Sequence, residues 1–348
     1  MKHTKKADIQ SLEQFDDIID VRTPAEFAED HIPGAINCPV LSNEERIVVG
    51  TANKQDSPFE ANKLGASLIS RNIADLIQNQ FYEKPKNWRP LFYCWRGGNR
   101  SGAIGHVLNQ IGWRAQTLDG GYKTYRRFVI DELSHLPAQF NYQVITGPTG
   151  SAKSRFLEAV AAQGGQVIDL EGLANHKGSV LGGYIDAAQP TQRMFESQLL
   201  QALRRCQSDK TIYIEAESRK IGTLQVPETL LEKIRTSPCL EIQAPIEARI
   251  EFLIRDYDYF IQYPEVLKTK LGHLKEVVGV VKLAQWGKLI DRQDWPQLVK
   301  ELLSDHYDAL YKRSQSSNFI NYLTAQSLPL KSLSQPELLA LAKQLLTQ

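Results

Sequence analysis

Cysteine is scarce in this chain and neither sign of charge dominates. Among 348 residues there are four cysteines, Cys38, Cys94, Cys206 and Cys239. No two form a CxxC pair and no Cys/His cluster has zinc spacing, which argues against a structural zinc site and a disulfide framework. The 41 basic and 40 acidic residues leave a formal net charge of +1, so any surface for nucleic acid must be a local basic patch. No run approaches the ~20 apolar residues that cross a bilayer. The polar start MKHTKKADIQSLEQF has no apolar secretion core. These absences predict a cytoplasmic protein with no membrane partner. Internal repeats and low-complexity blocks are also missing.

What is present is the composition of a globular chain, 42% hydrophobic and 23% charged, with a length that suits two domains. Strand-like and helix-like stretches alternate, which predicts an α/β fold in both halves, with domains at 1–133 and 134–348. Residues 17–21 (DIIDV) read as a buried strand. Thr23-Pro24-Ala25-Glu26 reads as a capping box that starts a short helix. Residues 42–65 are polar and read as an irregular excursion over the surface. Leu91-Phe92-Tyr93 reads as a strand ending at Cys94. Ile104, Val107, Leu108 and Ile111 then give one apolar helix face. Residues 128–141 read as the connection between domains. Strands are expected at 142–146 and near 166–169, 211–215 and 239–243. A helical stripe follows Pro245, and the last fifty residues read as amphipathic helices.

Two loops carry the chemistry. In the first, CWRGGNRS, a cysteine sits where a strand ends and a helix soon begins. Gly97 and Gly98 let the loop curl, so that the amides from Arg96 through Asn99 and Ser101 can converge as an anion nest at the positive end of the helix. Arg96 and Arg100 add charge. Such a cradle would hold the Cys94 thiolate, a nucleophile able to carry sulfur or selenium. A buried cysteine can also be a small hydrophobe, and Cys38, Cys206 and Cys239 read that way.

The second loop is Gly147-Pro148-Thr149-Gly150-Ser151-Ala152-Lys153-Ser154, a P-loop between a strand and a helix. Its amides would hold a diphosphate at the helix N-terminus, Lys153 would neutralise the oxygens, and Ser154 would bind Mg²⁺. Ala152 stands where a second glycine is usual, and a positive φ there would cost about 1 kcal/mol. Downstream, the strand end Ile212-Tyr213-Ile214-Glu215-Ala216-Glu217 could bring Glu215 or Glu217 to that metal. Nothing signals recognition of adenine or guanine, and a P-loop can serve any diphosphate.

Asp20-Val21-Arg22, His31-Ile32-Pro33-Gly34-Ala35 and the Cys94 loop resemble a rhodanese domain. Asp119-Gly120-Gly121-Tyr122 is similar to that family's last strand-to-helix turn. With the P-loop half behind it, the chain resembles the tRNA 2-selenouridine synthases over nearly its whole length. The resemblance rests further on Asp169 to Ser179 (DLEGLANHKGS), on Gln189-Pro190-Thr191-Gln192 with Phe195-Glu196, and on Glu215 to Gly222 (EAESRKIG). Ala152 and Ala216 depart from the family pattern.

The resemblance implies an N-terminal rhodanese-like domain with a parallel sheet. It also implies a C-terminal P-loop NTPase-like α/β domain with a helical end. It implies a transferase that moves a geranyl group from geranyl diphosphate to the sulfur of wobble 2-thiouridine in a tRNA anticodon loop. Selenium from selenophosphate then replaces the S-geranyl group, so a selenophosphate-supplying enzyme is a partner the resemblance allows. Cys94 would carry selenium as a perselenide or bind selenophosphate. For the tRNA and the substrate, the candidate contacts are Lys123, Arg126, Arg127, His176, Lys177, Arg204, Arg205 and Arg219. Tyr184, Tyr257, Tyr259 and Phe260 either line a prenyl pocket or form helical core. Two other readings compete: an NTP-dependent kinase or ATPase with a rhodanese sulfurtransferase domain, and a non-enzymatic adaptor.

Overall fold

A computed structural model describes residues 4–347. The chain divides into two compact units. One runs up to Glu132 and includes Glu196–Gln198; the other comprises Leu133–Phe195 and the chain from Leu199 onward.

The first unit is built on five strands: β1 (Lys5–Ala7), β2 (Asp17–Asp20), β3 (Ile36–Asn37), β4 (Pro90–Tyr93) and β5 (Gln116–Leu118). They lie in the order β1-β5-β4-β2-β3, and every pairing is parallel. All four residues of β4 are buried, as a central parallel strand requires. Phe92 joins Ile19, Val21, Ile73, Phe81, Ile104 and Leu108 in one hydrophobic cluster. The capping box at Thr23 forms, with the Thr23 side chain accepting from the Glu26 amide and the Glu26 carboxylate accepting from the Thr23 amide.

One stretch differs from the sequence reading. Residues 42–65 are not irregular: helices run over Asn43–Gln55 and Pro58–Leu76. Ser42 and Ser57 cap them, each accepting from an amide three residues on. The second helix buries Ala61, Gly65, Ile69, Ile73 and Leu76. The first two are so small that the apolar stripe is hard to see in the sequence. Residues 128–141 hold the boundary between the two units, and they form the end of a helix over Gly121–His135 and a 3₁₀ turn over Leu136–Gln139.

A buried ion pair sets the frame of this unit. Arg22 Nη2 lies 2.6 Å from Asp20 Oδ2, with the side chains 1% and 0% exposed, so neither charge has water as an alternative partner. The guanidinium also donates to the Asp30 carbonyl and lies 4.0 Å from the centre of the Tyr122 ring. That contact fixes the start of the helix Gly121–His135 beside the tip of β4.

The second unit contains β6 (Tyr142–Thr146), β7 (Gln166–Ile168), β8 (Ile212–Glu215), a small antiparallel ribbon β9 (Lys220–Ile221) and β10 (Leu224–Gln225), then β11 (Cys239–Gln243) and β12 (Gln326–Pro329). The main sheet has the order β12-β11-β6-β8-β7 and is parallel throughout. Helices Lys153–Ala162 and Gln335–Leu346 bury Phe156, Leu157, Val160, Leu338 and Ala342 in one cluster with Leu240 and Ile242 of β11. A separate helical cluster holds Leu267, Leu271, Trp286, Ile290, Leu298 and Leu302. From residue 299 to 347 the chain is helical apart from β12 and the turns that flank it, and β12 is an edge strand that the amphipathic-helix reading missed. Among the described residues, no helix is long and apolar enough to cross a membrane.

Candidate functional site

In the first unit, Cys94 follows directly on β4, and the helix Asn99–Ile111 begins five residues later. Gly97 has φ +63°, and a Cβ there would lie 2.5 Å from the Leu118 carbonyl oxygen, so only glycine fits this turn. Gly121, at φ +61°, faces the same loop, and a Cβ there would come within 2.2 Å of the Cys94 carbonyl oxygen. The two backbones are thus pressed together. The Tyr122 and Lys123 amides donate to the carbonyls of Cys94 and Trp95 at 2.8 and 3.0 Å. Gly98 supplies no capping side chain to the helix that follows. Its first amides are therefore left open toward the loop, as anion binding needs.

Cys94 is 4% exposed and belongs to the core cluster with Phe92 and Ile104. Its sulfur is not surrounded by hydrocarbon alone, because the buried Ser101 Oγ donates to Sγ at 3.3 Å. The two arginines separate. Arg96 and Asn99 are exposed. Arg100 is forked onto Glu26, at 2.6 and 3.1 Å, and its side chain is 12% exposed. Arg100 therefore anchors the helix start to the capping box, and its charge is largely spent there. Cys38 and Cys239 are buried and Cys206 is half-buried.

In the second unit, the loop after β6 curls through Gly147 (φ +146°), Gly150 (φ +80°) and Ala152 (φ +60°) into the helix Lys153–Ala162. Ala152 does adopt the left-handed conformation, with the strain that brings to a residue bearing a Cβ. Three groups from distant parts of the chain hold the loop. The Arg249 guanidinium, 5% exposed, donates twice to the Thr149 carbonyl, at 3.0 and 2.7 Å. Asp308 pairs with that guanidinium at 2.6 Å. The Tyr311 hydroxyl accepts from the Gly147 amide at 2.8 Å. Lys153 Nζ donates to the Gly147 carbonyl at 3.0 Å and lies 5.3 Å from the centre of the Tyr311 ring. Sequence reasoning missed Tyr311 and Asp308, which carry no local signal. Arg249 had one: a charged residue within an apolar helical stripe.

Carboxylates gather beside this loop because β8 pairs with β6 and β7 pairs with β8, all in parallel. Ser154 Oγ donates to Glu171 Oε2 at 2.7 Å. A Cβ built on Gly178 would lie 2.4 Å from Glu171 Oε1 and 3.0 Å from Glu217 Oε1, so these two carboxyl groups converge. Glu215 is turned differently from the sequence expectation. It is fully buried, its Oε1 accepts from the Glu171 amide at 2.6 Å, and its Oε2 has no hydrogen-bond partner. Glu171 thus stands where the sequence reading placed Glu215; the cue was its acidic position two residues after Asp169, just beyond a strand tip.

Among the described residues, no group of three or more His, Cys, Asp or Glu is arranged to hold a metal ion. Two convergent carboxylates and a hydroxyl nevertheless suit Mg²⁺, which takes few protein oxygens and completes its shell with phosphate and water. Burial and the neighbouring acids make the same point. Burial first, and then the Glu171 charge, push the Glu217 acid up to about 8, while Lys153 pulls it down. Burial and the Asp169 carboxylate hold Glu215 well above its usual range. A cation would relieve both.

A pH dependence follows. The folded Glu217 acid titrates near 8 and the unfolded one near 4.5. Between those values the native state holds the extra proton, so its stabilising effect is full below 4.5 and lost as pH rises through 8. Without divalent cation, melting temperature is expected to fall by several degrees from pH 5 to 8, on the order of a few kcal/mol. Mg²⁺ should recover part of the loss and Glu217→Gln should flatten the slope. A slope that Glu217→Gln leaves intact would assign it to other groups.

His176 and Lys177 also line the pocket at the phosphate loop. His176 is 9% exposed, its Nδ1 accepts from the Gly178 amide at 3.1 Å, and burial holds it below its usual value. Lys177 pairs with Asp256 at 2.7 Å and lies among the rings of Tyr184, Tyr257 and Tyr259. The remaining basic candidates are not in this pocket. Lys123 and Arg127 are exposed, and Arg126 half-buried, on the helix Gly121–His135; Arg204 and Arg205 are exposed at a helix end. Arg219 is exposed and paired with Glu228.

A cysteine loop at a strand tip of one parallel sheet, and a P-loop at a strand tip of another, define a protein that joins a rhodanese-like domain to a P-loop α/β domain. Residues 4–127 match the Rhodanese-like domain family and residues 140–276 match the tRNA 2-selenouridine synthase AAA domain family. A relative from Hydrogenovibrio crunogenus described as tRNA 2-selenouridine synthase is 32% identical over 324 residues, covering 84% of this chain and 88% of that one. Two described in the same words, from Nitrosomonas europaea and Nitrosomonas eutropha, are 33% and 35% identical over 75% and 69% of this chain. The matched stretch spans 66% and 62% of the length of those two relatives. The chain belongs to the tRNA 2-selenouridine synthase family.

Proposed function

We propose that this chain converts wobble 2-thiouridine of tRNA to 2-selenouridine in two steps, one at each loop. The observation that carries the reading is the P-loop with Lys153, Ser154 and Glu171 gathered at it, in a chain of this family.

In the first step the sulfur of the base bonds to the allylic carbon of geranyl diphosphate. The bond from that carbon to the diphosphate oxygen breaks, diphosphate leaves with the electron pair, and the base loses its N3 proton to solvent. The amides of the loop and Lys153 receive the charge that builds on the leaving group. Mg²⁺ held by Ser154, Glu171 and Glu217 would add its own charge there. Alkylation makes the sulfur a better leaving group. In the second step selenium from selenophosphate forms a bond to C2 of the base and the S-geranyl group leaves as the thiol. Water takes up the phosphoryl group as phosphate. The Cys94 loop offers open amides to the phosphate of selenophosphate, and Cys94 Sγ would take its phosphoryl group, freeing hydroselenide to attack C2, before water hydrolyses the phosphocysteine to phosphate. An anticodon-loop base is unpaired, so presenting it costs little. Exposed Lys123, Arg127, Arg204, Arg205 and Arg219 are proposed contacts to tRNA phosphates.

The test is incubation of the whole chain with 2-thiouridine tRNA, geranyl diphosphate, selenophosphate and Mg²⁺, followed by mass spectrometry of nucleosides. S-geranyl-2-thiouridine should appear first and 2-selenouridine later, with no ATP present. A strict requirement for ATP would favour the NTP-dependent reading instead.

A further inference from the structure

We propose that the apolar cavity next to the phosphate loop holds the hydrocarbon chain of a prenyl diphosphate, and that the helix Trp295–Leu302 gauges chain length. The inference rests on the reading above that the P-loop holds a diphosphate. It adds where the chain goes and which residues measure it.

The cavity lies in the second unit, bordered by the helices Ile246–Asp256 and Trp295–Leu302. Its space, with the solvent at its open mouth included, is about 620 Å³. The part that water-sized spheres can reach is about 80 Å³, where one water needs roughly 10–15 Å³, so this is more than a packing defect. Thr149, Ser179, Leu253, Tyr257 and Tyr307 line both this cavity and the phosphate pocket, so one ligand can occupy the two together.

The wall chemistry selects the ligand. Polar side chains of the cavity, those of Thr149, Ser179, Tyr257 and Tyr307, all stand at the shared border. Beyond it the lining consists of Leu, Ile, Val and Phe with Trp295. A nucleobase placed there would lose hydrogen bonds to water and find almost none in return. A branched hydrocarbon loses nothing.

The local sequence builds that wall. Asp294 caps the helix through the Gln297 amide and Pro296 sits in its first turn. Trp295, Leu298, Val299 and Leu302 follow at i, i+3, i+4 and i+7, one face of the helix, and all four line the cavity. A π-helical turn over Leu303–Tyr307 comes next. Its wider turn lets both Leu303 and Tyr307 reach the same cavity. Leu298 and Leu302 are buried against the helical cluster that contains Trp286, so the wall has firm backing.

The experiment measures binding to the whole chain by calorimetry with Mg²⁺ present. The probes are inorganic diphosphate and dimethylallyl, geranyl and farnesyl diphosphates. Geranyl diphosphate is expected to bind at least about 10²-fold more tightly than inorganic diphosphate, since each buried carbon adds a several-fold gain. Two substitutions should then move selection in opposite directions. Val299→Phe fills the cavity and should weaken geranyl diphosphate relative to dimethylallyl diphosphate by about tenfold or more. Leu298→Ala enlarges it and should strengthen farnesyl relative to geranyl diphosphate by a similar factor. A general loss of folding cannot shift preference both ways, and circular dichroism verifies each variant. If inorganic diphosphate binds but the prenyl compounds bind no better, this inference is wrong and the phosphate site stands. If chain-length preference is the same in both variants, the inference is also wrong. If neither inorganic nor prenyl diphosphate binds, the proposed function fails with it.

Discussion

Cys94→Ala is expected to abolish selenium incorporation, by at least about 10³-fold, while S-geranyl-2-thiouridine accumulates. The expectation comes from how few groups could replace the lost sulfur. Cys38 is in the same unit, but it is 1% exposed, its thiol donates to Gln80, and burial pushes it up to about 12. Cys206 and Cys239 belong to the other unit, and burial raises both. Ser101 lies 3.3 Å from the missing sulfur, but a neutral hydroxyl is a far weaker nucleophile than a thiolate. Stability should fall by no more than about 1–2 kcal/mol, because a small side chain is lost from a site that is already tight. Quantification of both nucleosides, with a thermal melt as the folding control, separates chemistry from structure. Cys94→Ser should fail in the same way despite its better shape match. Wild-type selenium incorporation by Cys94→Ala would remove the cysteine from the mechanism and leave selenophosphate bound by amides alone.

Both chemical loops were legible in the sequence because each carries its own punctuation. Glycine pairs, a helix start and a reactive or basic side chain fall within eight residues, and local steric rules leave few alternatives. The strands that present the loops were legible for a related reason: buried parallel strands read as short apolar runs. The failures share a different physics. The helix Pro58–Leu76 packs through Ala61 and Gly65, whose small size hides the stripe. The edge strand β12 takes its conformation from parallel pairing with β11, more than eighty residues earlier in the chain. Tyr311 and Asp308 reach the phosphate loop only through tertiary contact, and no spacing rule announces that. Glu171, and not Glu215, meets the Ser154 hydroxyl because a strand-end carboxylate can be spent on a neighbour's amide, which depends on how β7 and β8 lie side by side. The sequence located Lys153, Ser154 and Glu217; the partners that hold them are set by packing.

Lys153→Ala is expected to lower geranyl transfer by about 10²–10⁴-fold while leaving the later selenium step intact. The ammonium is the one full positive charge within the phosphate loop itself, held by the Gly147 carbonyl at 3.0 Å and backed by the Tyr311 ring. It is also the charge that restrains Glu217, so its removal should drive that acid's titration further upward. That second effect can be read without any substrate, as an upward shift in the pH at which the cation-free protein loses stability. Lys153→Arg should rescue poorly, since a planar guanidinium cannot occupy the place of a compact ammonium against the loop carbonyl. The decisive comparison supplies tRNA that already carries S-geranyl-2-thiouridine. Lys153→Ala should convert it to 2-selenouridine at close to the normal rate, and Cys94→Ala should not. Mixing the two variants with unmodified 2-thiouridine tRNA should then restore the product, each supplying the step the other lacks. If Lys153→Ala geranylates normally, the diphosphate does not sit at this loop. If it fails on pre-geranylated tRNA as well, the two steps are not divided between the loops.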